Sequence, residues 1–464
     1  MKKCLAGLAV FVVLLASSIS AQVVDSSAFI SENAFQDILS FDFSGGGARA
    51  QAMGNAYIAI SDDITAGSWN PAGLINLDRP VLGLSYSALS PGGYSDFTAP
   101  SGAFRKDHLS SVSALSTLNF AAPFRIKGRQ FVGSINYNAS SVDIMDWGFR
   151  DTVTAQIFTI RKGIGQMEDF VVDQTLNLES QSTVAVVSFS FGTRLSSKMT
   201  SGLGVNVYTG SGVSETSYLY SVEDFPIFPS EQEVVRSVDF TEIDSIQYSG
   251  INFTLGMKYE HDKLSAGLTL KSPFDLKVKY DVSRYTIVGQ NGFPVGEGTD
   301  TTYIDDNLTK YGMPLMIGFG LGYQLQENVL VAGAAEYRGF SGAKVKFRES
   351  FRLDQSGQTT ETFTERDSKW ENVIAFRFGG EYTRQTDIGK VPIRGGVAFV
   401  PVPIPNTDGT ATRTDLSVGT GIHWGQIMLD GAYTYSTLDR DFEQELLDAK
   451  IRNHHFAVTF TGYF

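Results

Sequence analysis

The sequence predicts an all-β protein, a 14-stranded antiparallel transmembrane β-barrel whose N-terminal segment fills the bore. Three observations support this fold class. Apolar and polar residues alternate with a period of two in many segments after Pro80, as expected for strands whose two faces meet different surroundings. Short and long connections alternate between these segments. After the first 21 residues, no stretch approaches the roughly 20 apolar residues that a membrane-spanning helix needs.

The alternating segments number about 14. In one of them Ile251, Phe253 and Leu255 are separated by the polar residues Asn252 and Thr254. An even number of strands brings both ends of a bacterial single-chain barrel to the same side. The segments start near Val81, Ser110, Gln130, Thr183, Gly202, Gln247, Leu264, Met313, Asn328, Glu371, Val391, Thr414, Gln426 and Asn453.

The connections predict which side of the barrel faces outward. Short links lie at 125–128, 196–199, 261–263, 326–327, 386–389 and 425. Long links, predicted as loops, lie at 90–109, 142–181, 214–246, 282–312, 342–369, 403–412 and 438–452. Short periplasmic turns and long outer loops are typical of outer-membrane barrels. The alternative, a soluble all-β protein, would not need this parity.

The N-terminus has the pattern of a secretory signal peptide at residues 1–21, with Lys2 and Lys3 before a short apolar run. Residues 22–43 form a polar leader, either a short amphipathic helix or an unstructured end. We divide the chain into the signal peptide, the leader and hatch at 22–79, and the barrel at 80–464. Cys4 is the only cysteine, so the exported chain has no disulfide.

Composition and motifs argue against several functions. The net charge of -13 and the pI near 4.9 disfavour nucleic acid, which binds basic surfaces. The five histidines show no metal-ligand spacing, and neither a nucleophile elbow nor a phosphate loop is present. We therefore expect no enzyme activity, no cofactor and no metal. A Ser-His-Asp hydrolase barrel remains an alternative, because a triad is recognised only in space. The histidines are His108, His261, His423, His454 and His455.

Residues 44–77, here called the hatch, predict a compact plug. The stretch is rich in glycine and small residues, which allow sharp bends and close packing. A carboxylate pair is expected to form a turn or a helix cap, and a proline restricts the residue before it. An ordinary loop-helix-turn is the alternative. The hatch motif consists of Gly45, Gly46, Gly47, Arg49, Gly54, Asp62, Asp63, Asn70, Pro71, Ala72 and Gly73.

Over about 35 residues this motif resembles the hatch of the outer-membrane long-chain fatty acid and aromatic hydrocarbon transporter family. The resemblance implies a 14-stranded barrel that is blocked from the periplasmic side. It implies passive uptake of a hydrophobic small-molecule ligand, a fatty acid or a hydrocarbon, across the outer membrane by way of an apolar binding pocket. Related barrels act as shuttles of the type IX secretion system, which is the alternative function. A structural barrel without transport is a third hypothesis.

Three basic residues are candidates for holding a ligand carboxylate: Arg49 in the hatch, and Lys258 and Arg377 in wall strands. Arg49 is equally a candidate anchor between hatch and wall, and we favour that role. Proline cannot donate to a strand ladder, so the prolines indicate either wall interruptions or strand ends near a rim, the latter being favoured. These prolines are Pro273, Pro401, Pro403 and Pro405.

The last strand and the outer links carry further expectations. Phe456, Val458, Phe460 and Phe464 form one face of the final segment, which resembles the signal for the outer-membrane assembly machinery. The acidic link 214–246 is either a solvated face, as we favour, or a site for divalent cations bound with lipopolysaccharide. Its Phe225, Ile227 and Phe228 are an alternative landing site for apolar ligands. We expect a monomer in contact with outer-membrane lipid.

Overall fold

The computed structural model describes residues 45–464 except 100–101, 108–110, 162–163, 228–231, 292, 299–303, 354–358, 369, 407–408 and 442–446. The predicted signal peptide and leader lie outside the described residues. The hatch begins with helices α1 (Ala48–Ala52) and α2 (Ala66–Trp69) and a 3-10 helix (Pro71–Asn76). None of the helices in the described ranges has the length and apolar character needed to cross a membrane.

Twenty strands form one antiparallel sheet that closes on itself. The first ten are β1 (Val81–Ala99), β2 (Gly102–Asp107), β3 (Val112–Ile126), β4 (Arg129–Arg161), β5 (Ile164–Arg194), β6 (Met199–Ile227), β7 (Gln232–His261), β8 (Leu264–Lys271), β9 (Phe274–Gln290) and β10 (Phe293–Gly298). The others are β11 (Ile304–Met313), β12 (Met316–Gln326), β13 (Val329–Arg338), β14 (Lys344–Leu353), β15 (Thr359–Asp367), β16 (Val373–Thr386), β17 (Gly389–Asn406), β18 (Gly409–Trp424), β19 (Ile427–Asp441) and β20 (Leu447–Tyr463).

These strands make 14 wall strands, because several wall strands are interrupted. β2 continues into β3, β8 into β9, β10 through β11 into β12, β13 into β14, and β15 into β16, as their shared neighbours show. The first and last strands pair from Val81 with Tyr463 to Phe97 with Leu447, which closes the barrel. The predicted 14-stranded barrel is confirmed.

The long links differ from the prediction. They were predicted as loops, but most of their residues continue the strands as paired hairpins. β4 and β5 pair from Phe131 with Thr193 up to Arg161 with Ile164, with one register shift between Ala139 and Ser141, so the link 142–181 is a projecting hairpin. The alternation of short and long connections holds. The period-two pattern weakens in these hairpins because both of their faces carry polar residues.

Four neighbouring wall strands break at one height, here called the break line. The breaks are residues 272–273, 314–315, 339–343, and 368 with 370–372. They lie level because Lys271 pairs with Met316, Met316 with Arg338, and Arg338 with Val373. Pro273 therefore lies at an interruption of the wall. The favoured prediction, a strand end near a rim, is wrong for this proline.

The three other candidate prolines lie near a rim, as favoured. Pro401, Pro403 and Pro405 fall within the last six residues of β17 (Gly389–Asn406). The register with β18 shifts between Pro401 and Pro405, because a proline cannot donate to the ladder.

The outward face below the break line is apolar. On β12 the outward residues Ile317, Phe319, Leu321 and Tyr323 are exposed, and they alternate with glycines on the inner face. Exposed apolar side chains in such a belt suit a lipid exterior. Phe456, Val458, Phe460 and Phe464 of the last segment are likewise exposed, and their role in assembly stays a prediction.

The inner wall meets the hatch through glycines on many strands. A Cβ added at Gly202 of β6 would collide with Pro71, one at Gly267 of β8 with Ile58, and one at Gly396 of β17 with Gly54. These strands lie on different sides of the barrel, so the hatch is inside the bore. Its contacts also lie nearest the short turns.

We expect Gly396→Ala to disturb the hatch, because the new methyl group would overlap the main chain at Gly54. Overpacking of this kind costs about 1–3 kcal/mol. The neighbouring Gly395→Ala is the control, since its Cβ would meet no atom closer than 3.9 Å. The measurement is the unfolding midpoint on heat-modifiable gels, with limited proteolysis of the hatch. Equal unfolding midpoints and equal proteolysis of the two variants would contradict the close contact between Gly396 and the hatch.

Candidate functional site

Asn70 links the end of the hatch to the wall. Its Nδ2 donates to the Ile58 carbonyl at 3.0 Å and to the Met257 carbonyl on β7 at 3.1 Å. Its Oδ1 accepts from the Ala72 N–H at 3.2 Å and caps the 3-10 helix that Pro71 begins. The Asn-Pro pair of the motif therefore starts a helix and bonds to a wall strand.

The predicted turn at the carboxylate pair is present. Asp63 Oδ1 accepts from the Thr65 N–H at 2.9 Å and from the Thr65 hydroxyl at 2.6 Å. Gly47 has a φ of 108° and Gly54 a φ of 61°, values that favour glycine. Gly46 packs closely against Thr117 and Asn138 of the wall, which leaves no room for a side chain. Positive φ at two positions and close packing at the third thus explain three of the motif glycines.

One side of the hatch faces neutral amides and hydroxyls. Asn136 of β4 donates to the Ile64 carbonyl at 3.1 Å, and Ser190 of β5 donates to the Gly67 carbonyl at 3.0 Å. Asn206 and Asn252 bond to each other beside them at 2.7 Å. These side chains satisfy backbone groups that would otherwise be buried without partners.

The other side of the hatch carries charges. Arg49 donates to Asp62 at 2.5 Å, to the Tyr57 hydroxyl at 3.1 Å, and through Nε to Glu381 of β16 at 3.0 Å. Glu381 also accepts from Arg394 of β17 at 2.6 Å. Arg49 is thus bonded to both hatch and wall.

The charged network continues along the wall. Arg394 Nη1 donates to Asp430 of β19 at 2.6 Å, and His423 Nε2 lies 3.1 Å from the same oxygen. We call Arg49, Glu381, Arg394, Asp430 and His423 the ionic latch. It joins the hatch to four neighbouring strands, β16 to β19.

The surroundings of Arg49 determine its protonation. Burial by itself lowers the pKa of Arg49, but Asp62, Tyr57, Glu381 and Asp63 together raise it well above its usual value. Burial also raises the pKa of the Tyr57 hydroxyl well above its usual range. Arg49 therefore stays a cation, and Tyr57 stays a neutral donor, here to Asp63 at 2.5 Å.

Above the hatch the inner wall becomes apolar. A single cluster of buried side chains, here called the apolar chamber, draws on wall strands from β5 to β19. Sequence reasoning expected an apolar pocket but did not identify these residues, because they come from many strands that only the closed sheet brings together. The period-two pattern within each strand was the available signal, but it does not show which side chains of different strands meet. Its larger members include Tyr208, Ile246, Tyr248, Leu276, Val278, Tyr311, Met313, Met316, Phe340, Trp370 and Val373.

A charged layer separates this chamber from the hatch. Glu336 and Arg338 of β13 bond at 2.7 Å, and Arg377 of β16 approaches Glu336 at 4.0 Å. Both arginine side chains are at most 2% exposed. Arg338 pairs with the chamber residue Val373, whereas Gly379, two residues after Arg377, touches Met53 of the hatch.

The three candidate carboxylate-binding residues therefore lie in different places. Arg49 belongs to the ionic latch, and Lys258 pairs with Glu260 at 2.8 Å close to a short turn. Arg377 lies beneath the apolar chamber. Arg338 joins it there, and the sequence offered no signal for it beyond a basic residue in a strand.

The outer hairpins correct one further expectation. Phe225, proposed as part of an exposed landing site, is buried and packs on Phe170 with ring centroids 5.6 Å apart. The side chains of Ile227 and Phe228 lie outside the described residues. Within the described ranges, no three His, Cys, Asp or Glu side chains come together as a possible metal site.

A closed barrel with an apolar exterior and an internal hatch defines an outer-membrane transport protein. The sequence profile of the outer membrane protein transport family (OMPP1/FadL/TodX) matches residues 27–459. The chain belongs to this family. It is a β-barrel of the bacterial outer membrane, and the soluble alternative is wrong.

Solved structures share the fold. The chain is similar to the toluene transporter TbuX of Ralstonia pickettii, with 16% identity, a TM-score of 0.50, and coverage of 91% of this chain and 99% of that one. For the P. putida toluene transporter TodX these values are 15%, 0.55, 91% and 99%. For a Pseudomonas aeruginosa FadL homologue they are 14%, 0.52, 90% and 98%. A search of curated protein sequences finds no match.

We expect Glu381→Gln to loosen the hatch, because it removes the charge that holds Arg49 and Arg394 together. Breaking a buried ion pair from one side costs about 3 kcal/mol. The unfolding midpoint should fall, and ion conductance through single barrels in planar bilayers should rise. Asp78→Asn is the control, because Asp78 pairs with Arg79 at an exposed position and should change neither quantity. If the two variants had the same unfolding midpoint and conductance, the ionic latch would not be what holds the hatch.

Proposed function

We propose that this protein is a channel for passive uptake of hydrophobic compounds, long-chain fatty acids or hydrocarbons, across the outer membrane. The observation that carries the proposal is the apolar chamber above the hatch. A chamber of this kind is unnecessary for a water-filled pore, whose lumen is polar. The family is described as one of outer-membrane transport proteins, and two of the similar structures are toluene transporters.

The chamber supplies the driving force for capture. An apolar molecule that leaves water for this site gains about 25 cal/mol for each Å² of its surface that is buried. The hatch and the charged layer lie below the chamber and close the direct route to the periplasm. The proposed uptake is passive, so the flux follows the concentration gradient. Release of the ligand needs an exit below or beside the chamber.

The wall between β3 and β4 supports a lateral exit. Their ladder runs only from Ile126 with Arg129 to Thr117 with Asn138. β4 then has a bulge at Ala139 and Ser141 and continues with β5. In the ranges that the structure describes, no ladder joins β4 beyond Asn138 to β2 or β3. Gly46 of the hatch lies at the lower edge of this seam, so a small hatch movement would widen it.

The charged layer favours ligands that end in a carboxylate. Two guanidinium groups, Arg338 and Arg377, lie with one carboxylate, Glu336, directly beneath the chamber. Arginine binds carboxylates through two parallel hydrogen bonds. A fatty acid would place its chain among the chamber side chains and its head group at this layer. Neutral hydrocarbons would use the chamber alone.

The proposal assigns the chain no enzyme activity, in line with the description of its family as transport proteins. The type IX shuttle alternative predicts a protein cargo at the outer hairpins. Co-purification of a secreted protein, together with liposome flux no greater than that of empty vesicles, would favour the shuttle. Flux of an apolar probe into liposomes would exclude a purely structural barrel.

We expect Ile246→Asn to reduce flux of a fluorescent fatty acid into proteoliposomes about tenfold. The change places an amide among chamber side chains, and the lost burial costs roughly 1–2 kcal/mol of ligand affinity. Gln247→Asn is the matched control, because Gln247 is the next residue and faces outward. If both variants transport like the wild type, the ligand does not pass this chamber.

We expect Arg377→Gln to weaken binding of a fatty acid at least tenfold and to leave binding of the matching alkane unchanged. A hydrogen bond to a charged group contributes about 1.5–3 kcal/mol. Arg377→Lys keeps the charge and should bind with intermediate affinity. The measurement is isothermal titration in detergent after folding has been verified by gel mobility. Equal losses for the acid and the alkane would assign Arg377 a purely structural role.

A further inference from the structure

The outward face of the barrel changes character at the break line. Along β12 and the break before it, the exposed apolar residues run from Leu325 near a short turn to Leu315. Ten residues of strand span roughly 33 Å, and a tilt of about 40° reduces this to a height of about 25 Å. That height equals the apolar band of an outer-membrane barrel. The break line therefore marks the boundary between the hydrocarbon and the head groups of the outer leaflet.

Above this boundary, three neighbouring strands carry basic residues on the outward face. Lys277 of β9 pairs with Lys310 of β11, and Lys310 pairs with Lys346 of β14. Directly paired residues point to the same side of a sheet, so three ammonium groups lie in one row. The full set, here called the basic patch, is Lys277, Lys279, Lys310, Lys344, Lys346 and Arg348.

The patch keeps an excess of positive charge. Lys346 lies 3.7 Å from both Asp275 and Glu365, and Lys344 lies 2.9 Å from Glu365. Asp367 pairs with Lys344 in the ladder, and Asp281 lies two residues beyond Lys279 on β9, which makes four acidic groups against six basic ones among the side chains that the structure describes there. In the described part of the chain Lys277 is exposed and forms no ion pair.

This excess is local and runs against the charge of the whole chain. The protein carries -13, and the corresponding outward positions on β5 and β6 are neutral or acidic. Glu179 of β5 and Glu215 of β6, for example, pair with each other there and are exposed. A uniformly solvated rim would have no reason to concentrate its lysines on β9, β11 and β14.

We propose that the basic patch binds the phosphate groups of an anionic glycolipid of the outer leaflet, of the lipopolysaccharide class. The acyl chains of that lipid lie against Leu315, Ile317 and Phe319 just below, while its phosphates reach the lysine row just above. A free phosphate would find no such apolar neighbour. The assignment is independent of which ligand the bore carries, because the patch faces away from the chamber.

The test compares purified lipid A that carries both phosphates with the same lipid after enzymatic dephosphorylation. Binding to the full-length protein in mild detergent is followed by native mass spectrometry. The wild type should prefer the phosphorylated lipid about tenfold. Lys277→Gln/Lys310→Gln/Lys346→Gln should lose this preference, and the corresponding triple arginine variant should keep it. Inorganic phosphate in excess should not displace the lipid.

The matched control is Lys127→Gln/Lys198→Gln/Lys263→Gln, which removes three exposed lysines at the short turns. It should retain the wild-type preference. A glutamine triple variant of the patch that still distinguishes the two lipids would overturn the proposal, as would a wild type that binds them equally. Folding of each variant is verified by gel mobility. Fatty-acid flux is measured separately, so that a failure of lipid binding can be distinguished from a failure of transport.

Discussion

Closure of the sheet is the constraint on which the rest of the structure depends. In hydrocarbon, every backbone N–H and C=O must find a partner within the protein, and the pairing of β1 with β20 removes the last free edge. A closed wall then has two faces with different requirements. The outward face must be apolar up to the head groups, whereas the inner face is free to serve the hatch, the charged layer and the chamber.

The hatch is a buried, mostly irregular segment, so its own backbone groups need partners from the wall. Asn136, Ser190 and Asn70 supply neutral hydrogen bonds on one side, and Glu381 supplies an ionic one on the other. Charged bonds in a buried place are costly to break, and neutral ones are less so. We therefore expect the hatch to be held most firmly at β16 to β19 and less firmly on its side near β3 and β4. The part of the wall where the described ladder between β3 and β4 ends, beyond Asn138, lies on that side.

The break line joins two properties of the molecule that are otherwise unrelated. Inside, it lies where the charged layer of Arg338 and Arg377 gives way to the apolar chamber. Outside, it lies where the apolar band gives way to the basic patch. Two residues between β8 and β9 change which positions face inward: Gly267 and Thr269 face inward below, whereas Leu276 and Val278 do so above. Both the inner and the outer faces of the wall thus change at the height of the outer-leaflet head groups.

The amino-acid sequence alone determined the barrel, its strand number and the hatch motif. Alternation such as that of Ile251 to Leu255 is a local property, and strand pairing preserves it. The tertiary structure decided what depends on register between distant strands. The pairing of Lys277 with Lys310 and Lys346, the meeting of Arg377 with Glu336, and the bond from Arg49 to Glu381 join residues that no local pattern connects. The outer hairpins were taken as loops because their two faces are both partly polar, and only the paired backbone reveals them as wall. The chamber residues, most of which lie in predicted strands, became recognisable once the closed sheet assigned each side chain to the inside or the outside.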